Sequence, residues 1–182
     1  MFVKRLIEHA DVMIHPSPER VVWCYGEWQP LYATLPSVDF REGLPEPSLF
    51  DPNQRTLVVV DDLMAEADGR LTQLFTKGSH HRNISVVYIV QNLFNKTKDH
   101  RTISLNAHYL VLFKNPRDAS QITTIAKQMA PGHTQVVREA FNDATSEPYG
   151  YLLVDFKQAT PDHLRLRTKL FPGEIQMAYL RK

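Results

Sequence analysis

Residues 56–64, with the sequence TLVVVDDLM, constrain the fold more than any other part of the chain. An uninterrupted apolar run that is rich in β-branched valine predicts a strand buried on both faces, which is typical of a central strand in a parallel sheet. The run ends in two adjacent carboxylates, Asp61 and Asp62. Because ligands of open α/β sheets bind outside the carboxyl ends of the strands, we expect both carboxylates to lie at a ligand site.

The adjacent carboxylates have two interpretations. Two like charges side by side are unfavourable unless a cation or a proton lies near them. In a nucleotide hydrolase the first carboxylate, Asp61, holds Mg²⁺ and the second, Asp62, polarises the attacking water, an arrangement known as a Walker B motif. Alternatively, the strand ends where a helix begins, and Asp62 is the N-cap of that helix.

The composition is that of a globular protein, with 43% hydrophobic and 23% charged residues among 182. The net charge of +1 means that any nucleic-acid surface would have to be a local patch. The single cysteine, Cys24, has no internal disulfide partner, which favours a reducing intracellular compartment, either cytoplasm or nucleus. No apolar run approaches the ~20 residues of a membrane span, so we expect no membrane partner.

The rest of the chain alternates strand patterns with helix patterns, which predicts a three-layer α/β fold with a mostly parallel sheet and a C-terminal β-hairpin. Residues 26–51 are rich in proline and predict a surface excursion with one helical turn near residues 29–35. We expect Trp23 and Trp28 in the core. The other predicted elements are strands over residues 20–25, 83–90, 107–113, 149–156 and 164–171, and helices over residues 1–10, 63–75, 115–129 and 135–142.

Two of these predicted elements carry a more specific expectation. In residues 164–170, leucines alternate with basic residues, which predicts a charged edge strand, with a DNA-facing role as the alternative. In the third helix, Asn115 is expected as the N-cap, followed by Pro116 in the first turn.

Five blocks of the sequence, in a fixed order, resemble one known family. The blocks VVVDDLM, FTKGSHHRNIS, VVYIVQN, LFKNPRD and PYGYLLVD are similar to those of the FtsK/HerA-like packaging ATPases of DNA viruses and of virus-related large DNA transposons. The resemblance covers nearly the whole chain. It implies one truncated, RecA-like P-loop NTPase domain over residues 1–182, whose full-length form uses ATP and Mg²⁺ to move double-stranded DNA as a homo-oligomeric ring, at the virion assembly site if the protein is viral.

The resemblance also implies roles for individual residues. Asp61 corresponds to the Mg²⁺-holding acid and Asp62 to the acid that polarises water. Gln91 lies where this family has a polar sensor of the γ-phosphate. Arg82 matches the place of an arginine finger that reaches a neighbouring subunit's nucleotide, with a solvated loop arginine as the alternative.

Residues 95–102 (NKTKDHRT) predict a basic loop after the sensor strand. In translocases of this type that loop faces the DNA, so Lys96, Lys98, His100 and Arg101 would contact phosphates without reading bases. A plain solvated turn is the alternative. The loop also supports a second function, a non-catalytic nucleic-acid-binding or assembly module. A third, an unrelated hydrolase that uses the two aspartates and a histidine, has no supporting nucleophile motif.

The chain departs from the family at one essential feature. No Gly-rich loop ending in Gly-Lys-Ser/Thr, which would hold the phosphates, occurs in the 182 residues. Residues 2–7 (FVKRLI) resemble the helix that leaves this loop, so we expect the first strand and the loop to be missing. The chain is therefore expected not to bind Mg-ATP tightly or hydrolyse it. The strands over 83–90 and 107–113 would then either pair directly or leave an unpaired gap.

Overall fold

A computed structural model describes residues 1–63, 69–78, 83–92, 98–117 and 120–180. The chain forms two compact units, Phe2–Asn106 and the part from Ala107 onward. The first contains a four-stranded parallel sheet and the second a four-stranded antiparallel sheet, so the predicted α/β class with a mostly parallel sheet is confirmed. The expectation of a single domain over residues 1–182 stays a prediction.

The parallel sheet of the N-terminal unit has the strand order β2-β1-β3-β4. All six residues of β3 are buried, which confirms the prediction of a central strand covered on both faces. Strand β2 was not predicted from the sequence, because it is short, rich in charge and lies at the end of the sheet. The strands are β1 (Arg20–Tyr25), β2 (Asp39–Glu42), β3 (Thr56–Asp61) and β4 (Ile84–Ile89).

The helices of this unit are short. The predicted helix over residues 1–10 is divided into α1 (Phe2–Glu8) and α2 (Ala10–Met13), and the predicted helical turn is a 3-10 helix, Pro30–Thr34. Helix α3 (Gly69–Gln73) continues into a π-helical turn, Leu74–Gly78. Helix α4 spans Lys98–Asn106, so the prediction of a loop through residue 102 was wrong for its second half.

Strand β3 separates two apolar clusters because its side chains alternate between the faces of the sheet. Val58 and Val60 pack in one cluster, with Cys24 and Leu71 among its members. Val59 packs in the other, which also holds Trp23, Tyr32 and the half-buried α1 residues Val3 and Ile7. The core of the N-terminal unit is therefore built around this one strand.

The antiparallel sheet of the C-terminal unit has the order β5-β6-β7-β8. Its core joins the inward side chains of the strands to two helices, with fully buried Leu152 and Val154 at its centre. None of the helices in the described ranges is long and apolar enough to cross a membrane. The elements are β5 (Tyr109–Phe113), α5 (Ser120–Met129), α6 (Thr134–Ala144), β6 (Tyr151–Asp155), a 3-10 helix (Asp162–Leu164), β7 (Leu166–Thr168) and β8 (Met177–Ala178).

Two predictions for strands in this unit were wrong. Strand β5 was expected to be a buried strand of the parallel sheet, but it pairs antiparallel with β6, and its end residues Tyr109 and Phe113 are exposed. Because β4 ends one sheet and β5 begins the other, these two strands do not pair directly. The predicted charged edge strand is β7, which lies between β6 and β8, and Arg167 is bound to buried Asp155, with 2.8 Å between Nη2 and Oδ2.

The start of the third predicted helix lies partly outside the described residues. The described part of α5 begins at Ser120, and Asn115 instead accepts a hydrogen bond through Oδ1 from the backbone N–H of Arg117 at 3.1 Å. This short-range bond is typical of an Asx turn. Asn115 therefore forms a turn after β5, and its role as the N-cap of α5 stays a prediction, because residues 118–119 lie outside the described residues.

A matched pair of leucine variants tests the central position of β3. Leu57 is 1% exposed and Leu105, in the same unit, is 72% exposed. We expect Leu57→Ala to lower the free energy of unfolding by about 2–5 kcal/mol, because it leaves a cavity in a packed core. Leu105→Ala should change it by less than about 0.5 kcal/mol. Urea-induced unfolding measures both, and equal effects would contradict the buried position of β3.

Candidate functional site

The carboxyl ends of the parallel strands lie level with one another. Asp61, the last residue of β3, pairs in register with Tyr25 at the end of β1 and with Ile89 at the end of β4. Tyr25 in turn pairs with Glu42, the last residue of β2. Gln91 follows Ile89 by two residues, so its backbone lies beyond the same edge. The structure therefore places the predicted acid and the predicted sensor at one edge of one sheet.

The Asp61 carboxylate is buried and hydrogen-bonded. Its exposed fraction is 9%, and Oδ2 accepts one hydrogen bond from the Tyr32 hydroxyl at 2.9 Å and another from Trp23 Nε1 at 3.3 Å. A buried carboxylate is strongly unfavourable without such donors. Both bonds end on the same oxygen, so the orientation of the carboxylate is fixed through Oδ2, and no side chain in the described part of the molecule donates to Oδ1.

The two donors reach Asp61 from different elements. Trp23 lies in β1, next to β3, and Tyr32 lies in the 3-10 helix that follows β1. Burial, and then the hydrogen bond to Asp61, raise the pKa of Tyr32 well above its ordinary value. The Tyr32 hydroxyl therefore stays protonated and remains a donor throughout the neutral pH range.

An aromatic cluster surrounds these donors. The centroid of the Trp28 ring lies 5.5 Å from that of Tyr25, 5.3 Å from that of Tyr32 and 5.7 Å from that of Phe40. Trp23 is buried, as predicted, but Trp28 is 56% exposed, so the prediction that it lies in the core was wrong. Trp28 instead packs from the solvent side on the buried Tyr32 ring and on the half-buried rings of Tyr25 and Phe40.

Asp62 lies in a different environment from Asp61. It is exposed, and its backbone has φ = 54°, a left-handed conformation that Asp adopts more readily than most residues. Burial first, and the Asp62 charge second, raise the pKa of Tyr88 to about 12. Tyr88 packs on the cluster at the opposite face from Trp23. The two adjacent carboxylates therefore have different partners, one fixed by hydrogen bonds and the other in contact with solvent.

Gly26, just after β1, lies beside this turn, with room for a side chain at ordinary contact distances. A Cβ atom at Gly26 would lie 3.4 Å from the Asp62 carbonyl oxygen and 3.5 Å from Leu63 Cδ2. The interpretation of Asp62 as the N-cap of a helix stays a prediction, because residues 64–68, where that helix would begin, lie outside the described residues.

Beyond the two aspartates, the structure describes the side chain of one predicted site residue, Gln91. Gln91 is exposed and makes no side-chain hydrogen bond to another residue of the described ranges. The backbone of Lys98, His100 and Arg101 is in helix α4. The two remaining predicted residues, Arg82 and Lys96, lie outside the described residues.

The two carboxylates fit part of a magnesium site. No group of three or more metal-ligating side chains occurs among the residues that the structure describes. Mg²⁺ in nucleotide enzymes, however, is held by only one or two carboxylates together with waters and substrate phosphates. Asp61, through Oδ1, and Asp62 supply oxygen donors of the required kind, so the chemistry of the donors agrees with a metal that arrives with a nucleotide.

Comparisons with known proteins leave the family unidentified. The chain matches no protein-family model, no curated protein and no solved structure. The function must therefore be inferred from the residues and their geometry.

Sequence patterns did not identify the residues that hold Asp61. Tyr32 lies 29 positions from Asp61 in the chain, and Trp23 lies 38 positions away. Both contacts depend on the register of β1 against β3 and on the path of the chain after β1, which no local pattern specifies. The only signal is compositional, since five aromatic residues occur between residues 23 and 40.

Removal of the Tyr32 hydroxyl tests whether Asp61 depends on it. We expect Tyr32→Phe to lower the free energy of unfolding by about 1–3 kcal/mol at pH 7, because a buried carboxylate loses a donor while the ring packing remains. Tyr109→Phe is the control, since the Tyr109 ring is exposed and its hydroxyl makes no hydrogen bond to another described residue. Chemical denaturation measures both variants. An effect of Tyr32→Phe no larger than that of the control would contradict the role of this bond.

The same variant has an expected pH dependence. The folded protein holds the pKa of Tyr32 above the ordinary value of 10. Above pH 10 the unfolded chain loses this proton while the folded chain keeps it, so the contribution of Tyr32 to stability is present below pH 10 and falls as pH rises further. Phenylalanine has no proton to lose. The stability difference between wild type and Tyr32→Phe should therefore narrow above pH 10.

Proposed function

We propose that this chain is an ATPase-family domain related to DNA-packaging and DNA-translocating motors, of the FtsK/HerA-like group that its sequence resembles. In its full-length form it would couple ATP hydrolysis to the movement of double-stranded DNA. The observation that carries the proposal is the pair Asp61–Asp62 at the carboxyl end of a fully buried β3, flanked by parallel strands on both sides. Nucleotides bind at this edge in open parallel sheets.

The different environments of the two carboxylates support different roles. Asp61 is buried and its orientation is fixed by Tyr32 and Trp23, which suits a residue that must hold a cation at a constant position. Asp62 is exposed at the same edge, which suits a residue that orients water and accepts a proton from it. Mg²⁺, when bound with ATP, would neutralise charge on the phosphates. Gln91 would sense the γ-phosphate from the next strand.

The position of α1 also supports the proposal. Lys4 donates a hydrogen bond to Thr34 Oγ1 at 3.0 Å, beyond the carboxyl end of β1. At the other end of the helical segment, Ile14 and His15 line a small cavity with Thr56, the first residue of β3. The segment thus runs from the carboxyl edge of the sheet to the amino edge, on the face that holds Asp61. This is the direction of a helix that follows a parallel strand and its phosphate loop.

The 182-residue chain alone should not turn over ATP. It contains no Gly-Lys-Ser/Thr loop, so the β- and γ-phosphates would lack the backbone N–H groups and the lysine that normally hold them. We expect phosphate release from millimolar Mg-ATP to equal that of the Asp61→Asn Asp62→Asn double variant, and calorimetry to show no tight binding. Turnover or tight binding that is lost in the double variant would show that the chain is competent as it stands.

An extended protein tests the lineage itself. The nucleotide sequence upstream of the Met1 codon shows whether an in-frame Gly-rich Lys-Ser/Thr loop precedes the chain. A protein that includes such a loop should hydrolyse ATP, and Asp62→Asn should slow it by about 10²–10⁴-fold. Asparagine also tolerates the left-handed backbone, so the fold is kept. Asp11→Asn, at an exposed carboxylate on α2, is the control. Full activity of the Asp62→Asn variant would refute the assigned role.

The second candidate is a non-catalytic module that binds nucleic acid or assembles with it. It is favoured by the absence of the phosphate loop together with the basic residues Lys96, Lys98, His100 and Arg101, three of which have their backbone in helix α4. A non-coding sequence upstream of Met1 would favour this candidate over the ATPase.

Charge removal tests the nucleic-acid contact. We expect the Lys96→Ala Lys98→Ala Arg101→Ala variant to bind duplex DNA more weakly and with a salt slope lower by about one for each lost phosphate contact. The control removes three exposed cations of the C-terminal unit, Lys127, Lys157 and Arg138. Fluorescence anisotropy over a range of salt concentrations measures both variants. If the two variants lose DNA affinity equally, the basic residues 96–101 do not form a particular DNA-binding surface, and the module hypothesis fails.

A further inference from the structure

The C-terminal unit contains a cleft that the proposed ATPase site does not use. It lies between the end of β5 and the loop that joins α6 to β6, and its volume is about 390 Å³. Clefts of about 300–1,000 Å³ are large enough for a small molecule. Its lining includes the side chains of Phe113, Lys114, Glu147 and Tyr149, together with Gly150.

Tyr149 has an unfavourable backbone and an exposed ring. Its φ is 63°, in the left-handed region that bulky side chains rarely adopt, and its exposed fraction is 85%. Gly150 holds the turn in this shape, because a Cβ atom there would lie 2.4 Å from the Ala144 carbonyl oxygen. Neither packing nor backbone preference accounts for an aromatic ring at this position. Strained residues of this kind concentrate at ligand sites.

The loop that presents Tyr149 is held by its own hydrogen bonds. Thr145 Oγ1 donates to the Phe141 carbonyl at 2.7 Å, and Ser146 Oγ donates to the Asp143 carbonyl at 2.7 Å. The backbone N–H of Gly150 donates to the Glu147 carbonyl at 3.1 Å. Because the loop is already ordered, a ligand that binds there would not have to order it, which favours binding.

The other wall of the cleft adds a second ring and a cation. Phe113 is 47% exposed, pairs in register with Tyr151 and lies 6.3 Å from the Tyr151 ring, centroid to centroid. Lys114 and Glu147 are both exposed, and neither has an ion-pair partner among the described residues. The cleft therefore offers two aromatic rings, one positive charge and one negative charge.

We propose that this cleft binds a nucleobase that has an exocyclic amino group, together with its attached phosphate. Aromatic faces stack on nucleobases, a lysine ammonium binds a phosphate, and a carboxylate accepts hydrogen bonds from a base amino group. A nucleobase with its phosphate is flat, anionic at one end and able to donate hydrogen bonds at the other, which matches Tyr149, Lys114 and Glu147. A free nucleotide and an unpaired strand share this chemistry. Binding of a nucleobase at this cleft does not require Asp61, Asp62 or ATP hydrolysis.

Titration of the ¹⁵N-labelled 182-residue protein with AMP tests the site directly. We expect shift changes at the amides of residues 113–114 and 145–150, and weaker binding of IMP, which has a carbonyl in place of the amino group. In Glu147→Gln the preference for AMP over IMP should fall. An oligo(dA) strand distinguishes the two possible ligands, a free nucleotide and an unpaired strand. If the strand binds more tightly per base than AMP does, the natural ligand is an unpaired strand. If it binds more weakly, the ligand is a free nucleotide.

Tyr149 variants separate a binding role from a structural one. Tyr149→Asn relieves the backbone, so the melting temperature should stay the same or rise, while AMP affinity should fall by about tenfold or more. Tyr149→Phe should leave both the melting temperature and the AMP affinity unchanged. Ile175→Asn is the matched control, since Ile175 is also 85% exposed in the same unit, and its affinity for AMP should not change.

Three results would overturn the proposal: no binding of AMP or oligo(dA) at millimolar concentration, shift changes elsewhere in the protein, or full affinity in Tyr149→Asn. The Asp61→Asn Asp62→Asn variant distinguishes this proposal from the ATPase proposal. The AMP affinity of this double variant should equal that of the wild type. The same two substitutions in an extended protein should abolish any Mg-ATP turnover.

Discussion

The buried carboxylate of Asp61 is the constraint on which the N-terminal unit depends. A negative charge in an apolar core is tolerated only when donors surround it, and hydrogen bonds to a charged group contribute about 1.5–3 kcal/mol each. Here the donors are Trp23 and Tyr32. The first requires β1 to lie beside β3 in its observed register, and the second requires the chain after β1 to return over the sheet. One side chain thus ties the end of β3 to β1 and to the 3-10 helix after it, with contacts to residues 38 and 29 positions earlier in the chain.

This constraint also shapes the chemistry of the edge. The two donors occupy one oxygen of Asp61 and fix its direction, and the exposed Trp28 ring packs edge-on against one of them, Tyr32. Asp62, one residue later, has left the strand and faces water with a left-handed backbone. Strand β3 therefore ends in one rigid carboxylate and one hydrated carboxylate. Two neighbouring acids with the same intrinsic chemistry are made different by burial and by hydrogen bonds, which is how paired carboxylates can acquire separate roles.

Patterns in the sequence predicted the elements whose residues are buried on a recognisable face. They failed to predict how strands pair with one another. The apolar run in β3 and the helical periodicity of α6 predicted their elements, because both record which face is covered. The run in β5 also predicted a strand, but an apolar run contains no information about parallel or antiparallel pairing. The charged β2 has no apolar pattern to detect. For the candidate site, the sequence indicated Asp61 and Asp62, while Tyr32 depended on the path of the chain and could not be predicted.

A residue with an unfavourable backbone conformation can indicate a functional site when no contact in the fold stabilises that conformation. Asn83 and Tyr149 both have a left-handed backbone, with φ of 50° and 63°. Asn83 adopts this conformation readily, and its side chain donates to the Pro52 carbonyl at 2.9 Å, so a turn explains it. Tyr149 has a bulky ring that is exposed to solvent, so neither explanation applies. A left-handed backbone alone does not mark a functional position, since exposed Lys169 also has a φ of 55°. At Tyr149 it is the exposed aromatic ring beside the cleft that indicates a requirement other than folding. Such a requirement is met by a ligand that covers the exposed ring.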